Sequence, residues 1–111
     1  MAIGDVTQLR LLQKALDTTA TNSAVANSGA TTKTTITSIT LVNTGTTERT
    51  VTMYQYGTGT NNAFPLKIIG GGMEILTGLD YVLSNTESFY FKQDSGTDVN
   101  IAVMGVSGVI V

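Results

Sequence analysis

The side chains that do most enzyme chemistry are missing from this 111-residue chain. It has no cysteine and no histidine. Nucleophilic catalysis of the Ser-His-Asp or Cys-His kind is therefore excluded by residue type. So are disulfides, thiolate metal sites and the usual general base near neutral pH. Ser–Lys pairs remain formally open through Lys33, Lys67 and Lys92, but their spacing to the serines shows no dyad. Acid–base chemistry on a glycoside would need two carboxylates flanking a cleft. The eight acids are Asp5, Asp17, Glu48, Glu74, Asp80, Glu87, Asp94 and Asp98. Most fall where turns and strand ends are expected, positions that Asp and Glu occupy for local backbone reasons. Asp94-Ser95-Gly96-Thr97-Asp98 is oxygen-rich, yet a calcium loop of the EF-hand kind needs more acids and a terminal Glu. It reads as a hairpin turn with glycine at a positive-φ position. Gly70-Gly71-Gly72 lacks the Lys-Ser/Thr that completes a phosphate loop, and reads as a bulge or connection. The expectation is a chain that is not an enzyme, with no metal and no cofactor.

Binding chemistry is better represented. Tyr54 and Tyr56 fall on one face of an expected strand, and Asn61 and Asn62 follow in a loop. Aromatic rings backed by amides form platforms for sugars or partner surfaces. The competing reading places the rings in the core or its rim. With seven aromatics in the whole chain, a sandwich interior would use most of them, so that reading is the stronger.

The elements that must position these groups are strands. Twenty residues are threonine, and Thr, Val and Ile side chains are stiff at χ1 and suit a pleated surface. Short apolar alternations recur between Gly/Asn/Thr clusters, the spacing of a sandwich or barrel. Thr34 to Asn43 and Arg49 to Tyr56, joined by Thr44-Gly45-Thr46-Thr47-Glu48, predict an antiparallel hairpin. Ile39 and Leu41 share one face of the first strand, Thr40 and Val42 the other. Ala63 to Ile69 is a further strand, and Pro65 argues that it is an edge or starts late. Met73 to Leu76 is a short strand, Tyr81 to Leu83 a brief strand or a helical turn, and Glu87 to Gln93 a strand with Phe89 and Phe91 on one face. The last strand starts at Val99. The fold class expected is all-β, an antiparallel β-sandwich or jelly-roll-like domain of about 7–8 strands, over residues 34–111.

Residues 1–33 read as an N-terminal arm or docking segment, extended or partly helical. Val6, Leu9, Leu12 and Leu16 fall on one helical face, while Leu9 and Leu11 alternate as in a strand; both alternatives stay open. Leu9, Leu12 and Leu16 are the candidates for docking onto a larger surface. Asp17 to Lys33 is Thr-, Ala-, Asn- and Ser-rich, either a flexible surface segment or an arm ordered by a neighbouring subunit, with Ala24-Val25-Ala26 a short strand. At the other end, Gly105 to Val111 is apolar on both faces. Such a strand must be covered on both sides, either by the fold or by another subunit; partial coverage by a subunit is the expectation, with Val106, Val109, Ile110 and Val111 at the interface.

Charge narrows the partners. Lys, Arg, Asp and Glu make up 13% of the chain, about half the roughly 25% of an average soluble domain. Low charge weakens repulsion between copies and suits a protein packed against neighbours. Formal charge is −2 with six basic residues; no basic cluster marks a nucleic-acid footprint. No apolar run reaches the roughly 18 residues of a membrane span. Met1-Ala2-Ile3-Gly4-Asp5 lacks the marks of a secretory signal, so synthesis and assembly in a cytoplasm are expected.

Three stretches carry a resemblance. They are Met1-Ala2-Ile3-Gly4-Asp5-Val6-Thr7-Gln8-Leu9, the Thr35–Thr52 segment with its Asn43-Thr44-Gly45 turn, and Val99–Gly108 with its small-residue ending. In these the chain resembles small virion structural proteins of tailed bacteriophages, of β-sandwich type. The resemblance implies a capsid decoration (cement) protein or a tail accessory protein, built as a homotrimer or other ring. Its partners would be copies of itself and a major capsid or tail protein, and it would be assembled in a bacterial cytoplasm. The alternative is a receptor- or glycan-binding module on tail or capsid, using Tyr54, Tyr56, Asn61 and Asn62.

Overall fold

The computed structural model describes residues 6–27, 29–56 and 62–109, and for 6–9 and 109 the backbone alone. Nine strands account for most of them: β1 (Val6–Ala15), β2 (Ala24–Ala26), β3 (Gly29–Asn43), β4 (Arg49–Gln55), β5 (Ala63–Ile68), β6 (Met73–Leu76), β7 (Tyr81–Asn85), β8 (Ser88–Gln93) and β9 (Val99–Val109). A 3-10 turn at Ala20–Asn22 interrupts the β structure between β1 and β2. Among the described residues no helix is long and apolar enough to cross a membrane.

The strands form two antiparallel sheets. Sheet A has the order β1-β9-β3-β6, with β7 also on the β3 edge; sheet B has the order β2-β8-β4-β5. The chain passes between A and B at most connections, and β4–β5 and β6–β7 are the two that stay within one sheet. That winding is a jelly roll, with β6 and β7 sharing the strand position beside β3. The all-β sandwich expected from the sequence is the fold observed.

The inward rows supply the core. Ile36, Ile39 and Leu41 of β3, Ile101 and Val103 of β9, Leu83 of β7, Val51 of β4 and Phe89 and Phe91 of β8 are all buried. Phe89 stacks on Phe91 at a centroid distance of 5.0 Å, and Tyr81 lies tilted against Phe89 at 5.3 Å. β5 is an edge strand, as Pro65 requires, because an edge leaves one row of backbone groups without ladder partners.

Two expectations fail here for a common reason. β3 and β4 are not a hairpin. They lie in opposite sheets, and the 44–48 link is a corner across the sandwich. The Asp94–Asp98 turn is likewise a crossover from β8 to β9 rather than a hairpin turn, with Gly96 at φ +72°. The two corners are stitched together. Arg49 pairs with Asp98 (Nη2–Oδ2 3.2 Å) and donates from Nη1 to the Ser95 hydroxyl at 2.5 Å. Thr44 donates from its backbone N–H and from its hydroxyl to the Asp98 carbonyl, both at 2.9 Å. Asn43, fully buried, donates from Nδ2 to the carbonyls of Thr47 (2.8 Å) and Ile68 (3.1 Å) and accepts from the Gly45 N–H (3.0 Å). These bonds satisfy the backbone groups that a hairpin ladder would otherwise have paired.

The N-terminal third is also corrected. β1 pairs with β9 from Val6↔Gly108 to Ala15↔Asn100, and β2 pairs with β8. The described part of residues 1–33 is therefore built into the sandwich rather than forming a separate arm, and Thr7 to Ala15 is strand, not helix. Asn27 closes the opposite end. It is buried, donates from Nδ2 towards the carbonyls of Gly29, Thr32 and Asn85 (2.8–3.0 Å), and accepts from the Thr34 hydroxyl at 2.8 Å.

Candidate interaction surface

The residues singled out from sequence divide sharply by location. Leu16 is fully buried, and its N–H donates to the Val99 carbonyl at 2.8 Å. Leu12 is half-buried and packs against the same core. Neither is free to dock, because both occupy the inward row of β1. Leu9 stands at the register position opposite Gly105, and its side chain lies outside the described residues. The proposed C-terminal interface is altered too. β9 is flanked by β1 on one side and β3 on the other, so it is central and offers no edge. Val106 is half-buried, opposite Gln8 and Thr35. The Val109 side chain and all of Ile110 and Val111 lie outside the described residues.

The tyrosine platform does not assemble as expected. Tyr54 is 8% exposed on the outer face of sheet B, directly opposite Tyr90, with the Lys92 ammonium 6.0 Å from its ring centroid. Tyr56 lies past the strand end at φ +67°. That left-handed residue breaks the alternation and turns the ring away, so that its hydroxyl donates to the Val82 carbonyl of the other sheet at 3.0 Å. Asn62 donates from Nδ2 to the Gln55 carbonyl at 2.8 Å and closes the loop end. Asn61 lies outside the described residues.

No three His, Cys, Asp or Glu side chains among the described residues come together as metal ligands. Four of the described carboxylates are occupied structurally. Asp98 pairs with Arg49, Asp94 accepts from the Ser95 N–H at 2.9 Å, and Glu87 accepts from the Ser84 N–H at 2.7 Å. Asp17 accepts from Asn22 Nδ2 and from the Thr19 N–H, both at 2.9 Å. Those two bonds, the Asn22 bond first, hold its pKa below the ordinary 3.8.

The surface that sequence reasoning missed is the outer face of sheet A. Register places Met73–Val42–Asn100–Ala15 in one outward row and Ile75–Thr40–Ala102–Gln13 in the next. Small side chains run down the middle and leave a shallow hollow of about 370 Å³, lined by Ala15, Thr40, Val42, Asn100 and Ala102, with Lys14 at its rim. On the β6 side rise Met73 and Ile75, each 56% exposed, and Met104 adds a third exposed apolar side chain. The two rows carry no formal charge. The cations at the β1 rim are already engaged: Arg10 donates to Gln13 Oε1 at 2.6 Å and Lys14 to the Asn22 carbonyl at 2.7 Å. The signal was present in the alternation of Met73 with Ile75 and of Ala102 with Met104. Which sheet those residues shared was not.

Neither a protein-family model nor a curated protein sequence matches the chain. Solved structures do. The chain aligns with a subunit of Bacillus endospore appendages, described as a family of disulfide-linked pili, with a TM-score of 0.50 and 13% identity, covering 100% of this chain and 96% of that one. It also aligns with a chain of the virus-like particle of the extra small virus of the giant freshwater prawn Macrobrachium rosenbergii (TM-score 0.45, 8% identity, 100% and 82% covered). A third match is the Tobacco streak virus coat protein (TM-score 0.42, 11% identity, 96% and 85% covered). The first likeness is one of fold.

Proposed function

We propose that this chain is a non-enzymatic structural protein of a bacteriophage virion, most simply a capsid decoration (cement) protein that stabilises the head through contacts with the shell and with copies of itself. The observation that carries this reading is the outer face of sheet A. Its Met73, Ile75 and Met104 are exposed beside a hollow floored by small side chains with Lys14 at its rim, on a chain with half the usual charge. A solitary domain gains nothing from an apolar face of that kind, and a partner removes it from water. The wound two-sheet topology is one that viral capsid domains use repeatedly, and the resemblance of the strand and turn segments to phage virion proteins points the same way. Repetition on a lattice lets each contact be weak, since avidity supplies the rest. Neither nucleic acid nor membrane is a partner in this reading, and assembly takes place in the host cytoplasm.

The test is quantitative mass spectrometry of purified particles. A decoration protein is recovered in fixed proportion to the major capsid protein. Recovery at a few copies per particle moves the chain to neck or tail, and absence from particles overturns the reading. A second reading, a receptor- or glycan-binding module, is favoured by one observation. Tyr54 and Tyr90 oppose each other on the outer face of sheet B beside Lys92. Retention on host-surface glycans that Tyr90→Ala abolishes would select it.

A further inference from the structure

We propose that the outer face of sheet A binds a second copy of the same face across a two-fold axis, so that the Met73–Ile75 ridge of each copy fills the hollow of the other. The inference rests on the reading of this face as a contact surface, and it names the occupant.

Three features of the face point to itself as partner. The first is shape. Ridge and hollow lie on one surface, with Met73 and Ile75 on β6 and the floor of Ala15 and Ala102 on β1 and β9. A two-fold axis running roughly along the strands carries β6 of one copy over β1 and β9 of its partner. Each ridge then meets a hollow twice, as an isologous contact requires. The second feature is charge. A foreign partner would be selected by complementary charges, and these two rows offer none to read. The same absence means that two copies meet with no like charges opposed at the centre. The two-fold operation also places the rims holding Arg10 and Lys14 on opposite sides of the pair. The third feature is area. Three strands of about ten residues, at ~3.3 Å per residue and ~4.8 Å spacing, present roughly 500 Å² in projection, with Arg10 and Lys33 at outward positions beyond the two central rows. The corrugation of the side chains and the β6 ridge raise the accessible area towards the ~800 Å² per partner of a standard interface. Sheets packed face to face in this way lie about 10 Å apart, a separation that Met and Ile side chains bridge and that Ala and Thr alone would leave hollow.

The experiment uses the full chain in sedimentation equilibrium. Ile75→Glu places a charge on the ridge, and Ala102→Arg places a larger, oppositely charged side chain in the hollow. Both positions face outward, and near-ultraviolet circular dichroism of the tyrosines checks that each variant is folded. The wild type is expected to be a dimer, and each variant alone to dissociate roughly 30-fold or more readily, the size of a hot-spot loss. An equimolar mixture of the two variants is expected to recover a heterodimer, because it creates one complementary ion pair and leaves the other ridge–hollow contact native. A wild type that stays monomeric up to about 1 mM, or an oligomer of any order that both substitutions leave unchanged, overturns the inference. So does association that both variants abolish but the mixture fails to restore, since ridge and hollow would then not face each other. Failure here leaves the particle composition untouched, whereas a dimer absent from particles sinks the virion reading and not this one.

Discussion

Gly105 is the position where one methyl group should do most harm. It is buried in β9, the central strand of sheet A, opposite Leu9 of β1 and Ile36 of β3. Both neighbouring strands change register beside it, between Arg10 and Leu12 on one side and between Ile36 and Ser38 on the other. A Cβ added at Gly105 would run into the backbone carbonyl of Thr35 and would stand 2.7 Å from Leu11 Cδ1. Leu11 can rotate away, but the Thr35 carbonyl belongs to the strand alongside and cannot move unless β3 separates from β9. Overpacking of a tight core costs about 1–3 kcal/mol, and each ladder hydrogen bond lost in the separation adds about 1 kcal/mol. Gly105→Ala should therefore destabilise by about 3 kcal/mol, or ~10 °C in Tm for a domain of this size. Urea titration followed by tyrosine fluorescence reads the change, since the chain has four tyrosines and no tryptophan. Gly78→Ala is the comparison. It has nothing within 4 Å of the added methyl, and its φ of +68° makes the cost one of backbone conformation alone, about 1 kcal/mol. A loss below about 0.5 kcal/mol for Gly105→Ala, or one no larger than that of Gly78→Ala, would refute the argument that paired bulges seat the strands around this glycine.

Three more outcomes follow from the corners and the ends. Arg49→Ala and Asp98→Ala should each cost about 1 kcal/mol, and a double-mutant cycle in urea should show a coupling of that order; strictly additive losses would mean that the stitch between the two crossovers contributes nothing. Asn27→Leu keeps the volume but strands the carbonyls around it and the Thr34 hydroxyl, for a loss of about 2–4 kcal/mol in the same assay, and a neutral result would show that these groups find other partners. Asp17 has a folded pKa below its ordinary 3.8 because Asn22 and Thr19 donate to the carboxylate. Its contribution is present above pH 3.8 and fades as the pH falls through the lower folded value. The stability of Asp17→Asn should therefore fall less steeply than that of the wild type below about pH 4, and parallel acid limbs would dismiss the group.

The strands were legible because Thr, Val and Ile alternate within them. Their partners were not, because alternation assigns a residue to a face and leaves open which sheet that face belongs to. The link between Asn43 and Arg49 suits a hairpin and a corner equally. What decides is Asn43, whose buried amide satisfies three backbone groups of the link and of β5. In sequence it reads as ordinary turn punctuation. The N-terminal ambiguity has a sharper cause. A bulge at Leu11 inserts one residue, so the inward positions of β1 run 9, 12, 14 and 16 rather than in steps of two. The interval of three imitates a helical repeat, and Leu9, Leu12 and Leu16 look like one face of a helix, whereas Leu12 and Leu16 serve the inner face of the sandwich. Pro65 was informative because its missing N–H admits an edge strand and excludes a central one. Tyr56 misled because nothing in its type announces a positive φ.

The charges of the described chain are not spread evenly over this fold, and their placement argues for how it is used. Asp17, Glu48, Arg49, Asp94 and Asp98 gather where the crossovers turn, Asp80 and Glu87 lie in the connections flanking β7, Lys67 and Lys92 stand on sheet B, and Arg10, Lys14, Lys33 and Glu74 stand on strands of sheet A outside its two central outward rows. Corners need them, since a crossover has no ladder to satisfy its backbone and recruits side chains instead. The two central rows of sheet A contain none, although outward positions on a free sandwich are where charge is cheapest to place and most useful for solubility. A two-sided antiparallel sheet exposed to water on its outer face shows a polar outer row; here that row includes Met73, Ile75 and Val42. The core is built from the inner faces and the crossovers are held by their stitched corners, so these outward apolar residues lie outside both. Their placement makes sense as the part of the molecule reserved for contact with another surface.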